Sequence, residues 1–231
     1  MKKLIIASTS TVYGMSYLEY LLDELDVFFF GVKEILFIPY ARPGGITHDK
    51  YTDLAKQGFE KLSKEIKGIH SFNDPVEALT NAQGVFVGGG NTFLLVHQLY
   101  NYNLMKVLKE VVLKGTPYLG TSAGANITGE TMQTTNDMPV IYPQSFKTLG
   151  LVPFNINPHY KDSDTASKHM GETRETRIKE FHKFNSIPVV GLREGSWIQV
   201  IGDEAILKGK LEAKILQSFS RRRNLPDTPQ S

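Results

Sequence analysis

The sequence predicts an α/β fold with a mostly parallel sheet and helices on both faces. Three observations carry that prediction. Short apolar runs closed by turn residues alternate with longer amphipathic segments, which is the pattern of successive βαβ units. Two of these runs lead straight into glycine-rich turns followed by segments able to form helix, Gly88-Gly89-Gly90 and Gly120-Thr121-Ser122-Ala123-Gly124. At 231 residues and 41% hydrophobic content the chain can bury a full core, and no repeat, low-complexity block or linker divides it. Residues 1–219 are therefore expected to form one domain, with the arginine- and proline-containing residues 220–231 a disordered basic tail.

Taken in order, residues 4–7 read as the first strand and 17–25 as a helix. Residues 34–38 form a strand closed by Pro39. Tyr51, Leu54, Ala55, Phe59, Leu62 and Ile66 keep helical spacing through 49–66. A weak strand is expected at 69–72. Asp74-Pro75-Val76-Glu77 has a cap acceptor, proline at the first helical position and an acid two residues later, a strong helix start. Residues 84–87 form the next strand and Thr92 is placed to cap a helix after it. Residues 104–114 are a helix ended by Gly115, and 117–120 are the strand that delivers Ser122. Prolines 139, 143, 153 and 158 then mark irregular loops. Helical spacing returns over 172–184, 188–192 is a strand, and 197–201 with 205–207 make a hairpin around Gly202-Asp203.

Composition excludes several functions. With no cysteine there is no disulfide, thiolate metal site or cysteine nucleophile, which fits a reducing, cytoplasmic compartment. Lys2 and Lys3 before Leu4-Ile5-Ile6-Ala7 imitate the start of a signal peptide, but Ser8-Thr9-Ser10 ends the apolar run. No stretch of about 18 apolar residues is present, so no membrane span is expected. The net charge of +2 resides in residues 220–231, three arginines against one aspartate, and the neutral remainder gives nucleic-acid binding no electrostatic support.

The chemistry centres on Ser122. In a G-x-S-x-G turn between strand and helix the serine Oγ is lifted clear of the sheet, and flanking glycines tolerate strained backbone. The competing reading, that small residues simply let a helix pack close on a strand, stays open. Gly88, Gly89 and Gly90, with Asn91, aim backbone N–H groups beyond a strand end, which suits an oxyanion or another anion, the alternative being a plain tight turn. No Lys-Ser/Thr follows, so a P-loop is not expected. Among six histidines, His97 and His182 lie on helices beside apolar residues, and His48, His70 and His169 show no partner. His159, after Asn155-Ile156-Asn157-Pro158, is the best-placed base. Glu194, beyond a strand and before Gly195, and Asp137, in a loop, compete as the acid that orients it. There is no H-E-x-x-H, and Asp162, Ser163 and Asp164 read as a solvated loop, so neither metal nor cofactor is expected.

Six motifs carry a family resemblance: G-G-G-N-T-F at 88–93, S-A-G-A-N at 122–126, T-T-N-D-M-P at 134–139, N-P-H-Y at 157–160, G-E-T-R-E-T-R-I at 171–178 and L-R-E-G at 192–195. Together they resemble the peptidase E, or aspartyl dipeptidase, family of serine peptidases, from the first strand to about residue 215. Beyond 216 the chain departs from the family's usual ending. The resemblance implies a fold similar to class I glutamine amidotransferases, which is flavodoxin-like, and hydrolysis of dipeptides with N-terminal aspartate. It implies Ser122 as nucleophile, His159 as base, Glu194 as acid with Asp137 the alternative, and a glycine-loop oxyanion hole. Gly89 and Ala123 are the expected oxyanion donors, by the rule that uses the residue after the nucleophile. Arg174, with Gly88, Gly90 and Asn91, is expected to bind substrate, because a guanidinium suits a side-chain carboxylate. Arg174 could equally be part of a solvated helix face with Glu175 and Arg177. The expected partner is a small peptide, met by a monomer or homodimer. Two rivals stay open: a serine hydrolase of other specificity, such as an esterase or other exopeptidase, and a non-catalytic anion-binding module.

Overall fold

The computed structural model describes residues 1–163 and 171–218. The expected basic tail at 220–231, and with it Asp164 and His169, lies outside the described residues. Ten strands and seven α-helices are present among those described. Seven strands form one sheet in the order β3-β2-β4-β5-β1-β8-β9. They are β1 (Lys3–Ala7), β2 (Glu34–Ile38), β3 (Glu65–Gly68), β4 (Val85–Val87), β5 (Tyr118–Thr121), β8 (Ser196–Ile201) and β9 (Glu204–Gly209). The first five run parallel, β8 adds antiparallel beside β1, and β9 pairs antiparallel with β8 at the edge. A second sheet has the order β10-β7-β6, from β6 (Asn155–Pro158), β7 (Val189–Leu192) and β10 (Lys214–Leu216), with β6 and β7 parallel.

Side chains of a strand alternate between faces, so each parallel strand feeds two cores. Ile5, Ala7, Ile35, Phe37, Phe86 and Leu119 face α1 (Leu22–Phe28) and α2 (His48–Phe59). Leu4, Ile6, Leu36, Ile38, Val85, Val87 and Tyr118 face α3 (Pro75–Thr80), α4 (Thr92–Asn101) and α5 (Leu104–Lys114). The expected helices on both faces are found. The second core continues through Ile127, Leu149 and Leu151 to Ile156, Val190 and Leu192 of the small sheet. No helix among the described residues is long and apolar enough to cross a membrane.

Local rules account for several boundaries. The Asp74 carboxylate accepts the Val76 and Glu77 N–H groups at 2.9 and 3.0 Å with Pro75 opening α3. In α5, Leu104, Met105, Leu108, Val111 and Val112 form the buried stripe, each worth about 1.5–3 kcal/mol of transfer. Gly115 ends it at φ 117.

Other boundaries differ from the sequence expectation. The helix expected at 49–66 stops at Phe59, a 3-10 turn covers Glu60–Leu62, Ser63 turns left-handed at φ 51, and Ile66 lies in β3. Phe59 and Ile66 sit in the same core, so one apolar surface imposed helix-like spacing on a helix and a strand together. The strand expected at 69–72 is a 3-10 turn at Ile69–Ser71. The helix expected at 17–25 is divided: Leu18 is left-handed at φ 59, a 3-10 turn covers Glu19–Leu21, and α1 follows. Asn91, not Thr92, caps α4, accepting the Leu94 N–H at 3.1 Å.

Candidate active site

Four chain segments meet beyond the C-terminal ends of parallel strands, where open α/β sheets gather ligands. The glycine turn follows β4, Ser122 follows β5, His159 follows β6, and Glu194 stands two residues past β7. Ser122 opens α6 (Ala123–Asn126) with φ 52 and ψ −109. A non-glycine residue held there costs about 1–3 kcal/mol and persists only where its surroundings impose it. They do: the Ser122 N–H donates to the Ala7 carbonyl at 3.1 Å, and its own carbonyl accepts Asn126 N–H at 2.9 Å.

The close-packing reading of the G-x-S-x-G turn is seen directly. A Cβ on Gly124 would strike the Val87 carbonyl and one on Gly120 the Gly124 carbonyl, so α6 lies directly on β4 and β5. That close packing is what fixes the strained serine at the helix start.

The Ser122 Oγ lies 2.9 Å from His159 Nε2, and His159 Nδ1 lies 2.7 Å from Glu194 Oε1. With side chains 33% and 44% exposed, His159 and Glu194 are reachable by a small ligand. Burial, reinforced by the nearby Glu194 charge, pushes the Tyr20 phenol well above its usual range, and its hydroxyl donates to the Thr9 carbonyl at 2.6 Å. The competing acid, Asp137, does not meet His159 in this arrangement. Its Oδ2 accepts Thr92 N–H at 2.7 Å, Thr92 Oγ1–H at 2.6 Å and Thr135 Oγ1–H at 2.8 Å, at the positive end of α4.

The glycine turn is pressed against the serine. A Cβ on Gly89 would stand 2.9 Å from Ser122 Cβ, so only glycine permits that approach. The Gly88 N–H is engaged with the Ile38 carbonyl at 3.2 Å and the Asn91 N–H with the Ala41 carbonyl at 2.6 Å. The Asn91 side chain serves Leu94 N–H and the Met138 carbonyl. Two of the four residues expected to touch substrate therefore hold the turn itself together. Gly89 and Gly90 have no backbone acceptor for their N–H groups among the described residues. Ala123, first residue of α6, has no partner for its N–H within the helix.

This geometry is matched by kinship. The model of Peptidase family S51 matches residues 4–208. The chain belongs to peptidase family S51. A protein named Peptidase E in Streptomyces coelicolor is 45% identical over 96% of this chain and 90% of its own length. A probable alpha-aspartyl dipeptidase of Drosophila melanogaster is 44% identical over 94% and 90%. The solved structure of a putative peptidase E protein from Listeria monocytogenes superposes with TM-score 0.69 at 23% identity, covering 91% of this chain and all of that one, and shows the shared fold.

Within this S51 chain, Arg174 opens α7 (Arg174–Phe181), half-buried, while Arg177 is exposed. Partial burial lowers the Arg174 pKa, Arg177 adds to the fall and the Asp137 charge opposes it, and an arginine stays charged under all three. Asp137 and Arg174 thus share one electrostatic neighbourhood. Arg193 is committed elsewhere: Nε and Nη2 hold the Asp162 carboxylate at 2.9 Å each. Among the described residues no cluster of metal-ligating side chains occurs.

The sequence assigns no role in the site to several supporting residues. Tyr51, one of the apolar positions of α2, donates its hydroxyl to the Gly89 carbonyl at 3.0 Å. The Asn157 amide donates to the Thr134 carbonyl at 2.8 Å and to Asn136 Oδ1 at 2.7 Å, while the Asn136 amide reaches the Pro158 carbonyl at 2.6 Å. The T-T-N-D motif thus fastens the end of β6, just before His159. Ser8 makes contacts far along the chain, to His159 and Leu192, 151 and 184 residues away.

Proposed function

We propose that this chain is a serine-type aspartyl dipeptidase that cleaves dipeptides with N-terminal aspartate through an acyl-enzyme. One observation carries the reading: a single imidazole joins Ser122 Oγ at 2.9 Å on one nitrogen and Glu194 Oε1 at 2.7 Å on the other. A carboxylate on Nδ1 fixes that nitrogen as the N–H, leaving Nε2 as an acceptor for the serine proton. The names of the S51 relatives support the substrate class.

Ser122 Oγ attacks the peptide carbonyl carbon while His159 Nε2 takes its proton. The N–H groups of Gly89 and Ala123 receive the oxyanion, where preorganised donors are worth most. Collapse breaks the C–N bond, the imidazolium proton goes to the leaving amine, and an aspartyl ester remains on Ser122. Water then attacks the ester, giving its proton to His159, and the proton returns to Ser122 as aspartate leaves. Glu194 keeps the imidazole oriented and stabilises its charged form. Arg174 pairs with the side-chain carboxylate of the substrate, and Gly90 shapes the turn beside it. A cytoplasmic site of action fits a chain without cysteine.

The test compares kcat/KM for Asp-Leu, Asn-Leu, Ala-Leu and a short ester, alongside labelling by a fluorophosphonate. Asp-Leu should be the best substrate, and the label should map to Ser122. Preference for the ester or Ala-Leu would assign another specificity to the same machinery. Neither turnover nor label would leave an anion-binding module.

A further inference from the structure

Ser8, the residue after β1, is fully buried and far in sequence from the reactive groups, yet its bonds reach all around them. Its Oγ donates to the Leu192 carbonyl at 2.7 Å and accepts the His159 N–H at 2.9 Å. Its own N–H donates to the Ser196 carbonyl at 3.2 Å. Leu192 and Ser196 bracket Glu194 by two residues on each side. The neighbouring Ala7 carbonyl holds the Ser122 N–H. Two consecutive residues at one strand end therefore tie the backbones that carry the nucleophile, the base and the acid.

The tie to His159 matters because that residue is left-handed, at φ 53. A strained backbone keeps its conformation only while neighbours over-determine it. Here the restraints are the Ser8 hydroxyl on His159 N–H and the Leu192 carbonyl, which also accepts Tyr160 N–H at 3.0 Å. One carbonyl and one hydroxyl thus couple the end of β6 to the end of β7, and so the imidazole to its carboxylate. The first apolar strand gave no sign of this, since Ser8 read only as the residue that ends the run.

We propose that Ser8 is a positioning residue of the catalytic site, setting the register between His159 and Glu194 without touching substrate. The proposal rests on the serine-hydrolase reading. Loss of the hydroxyl leaves His159 N–H unpaired and lets the imidazole drift from both partners, and misplacements of about 1 Å can cost on the order of a hundredfold in rate.

In Ser8→Ala, kcat for Asp-Leu and the rate of fluorophosphonate labelling should fall together by about ten- to a hundredfold, with KM little changed. The downfield imidazole proton resonance of the wild-type His159–Glu194 bond should broaden or vanish while circular dichroism shows an intact fold. Should Ser8→Ala fail to fold, Ser8→Cys keeps the volume but offers only a weak donor and acceptor, and should show the same three losses. A merely structural serine would lower the melting temperature and leave kcat, labelling and the resonance of the folded protein unchanged, which overturns the proposal. So would a rise in KM at constant kcat. If the hydrolase reading itself were wrong, wild-type protein would show neither turnover nor label, whereas failure of the Ser8 inference leaves wild type active.

Discussion

The segments that supply the site are held by opposite means. β4 and β5, which deliver the glycine turn and Ser122, are apolar and wholly buried: Val85, Phe86, Val87, Tyr118 and Leu119 all have no exposed surface. β6, which delivers His159, carries buried Asn155 and Asn157, and Asn126, Thr134, Asn136 and Asn157 pin it through side-chain hydrogen bonds. Apolar burial is strong and non-directional, whereas hydrogen bonds fix distance and angle. Ser122, the proposed nucleophile, thus stands on the stable platform, and the groups proposed to act with it are placed by directional contacts. Variants of the platform should cost stability, and variants beyond β6 and β7 should cost rate.

The largest effect sharpens that division. Ser122→Ala and His159→Ala should each lower kcat by roughly 10⁴- to 10⁶-fold with the fold retained, and the double variant should be little worse. Substantial turnover by Ser122→Ala, with contamination excluded, would end the serine mechanism. Next, Glu194→Gln should lower kcat on the order of 10⁴-fold through the wrong tautomer. Asp137→Asn should cost about 1 kcal/mol of stability at the α4 N-terminus and change kcat far less. A reversed ranking of kcat would move the orienting role to Asp137. On the platform side, Phe59→Ala removes a fully buried ring packed 5.9 Å from both Phe29 and Phe86. It should cost about 3–5 kcal/mol in urea unfolding while leaving kcat of the folded protein unchanged. A comparable loss of kcat would break the comparison. The smallest effect on activity among these catalytic and recognition groups is one of specificity: Arg174→Ala should lower kcat/KM for Asp-Leu by about 1.5–3 kcal/mol, and much less for Asn-Leu. An unchanged Asp-Leu to Asn-Leu ratio would shift recognition to another cation, with exposed Arg177 the first to test.

How much of this was legible follows the same division. Strands of the platform declare themselves as apolar runs: β2 lies where its run predicts, and β1, β4 and β5 lie within one residue of theirs. Overreach occurred where one core serves two elements, as with Phe59 and Ile66 across the left-handed Ser63. At the site, turn chemistry marks Ser122 and His159 locally, and the structure brings the two side chains to 2.9 Å. The choice between Glu194 and Asp137 was not legible, because it depends on which acid approaches across 35 residues of chain. Ser8 and Tyr51 were hidden for the same reason, since their partners lie 151 and 38 residues away. Gly88 and Asn91 looked like ligand groups because sequence shows donors but not whether the fold already occupies them.

The junction of the two sheets gives activity a different sensitivity from the bulk fold. Proteins open in sub-global units long before they unfold as a whole, and segments held by few apolar contacts open first. The Ser122–His159 distance joins the end of β5 in the large sheet to the end of β6 in the small one. A modest loosening of β6 and β7 separates base from nucleophile while most helices and the parallel strands remain intact. Turnover in mild denaturant should therefore report the local integrity of this seam, with a midpoint below that of the far-ultraviolet signal of the whole chain.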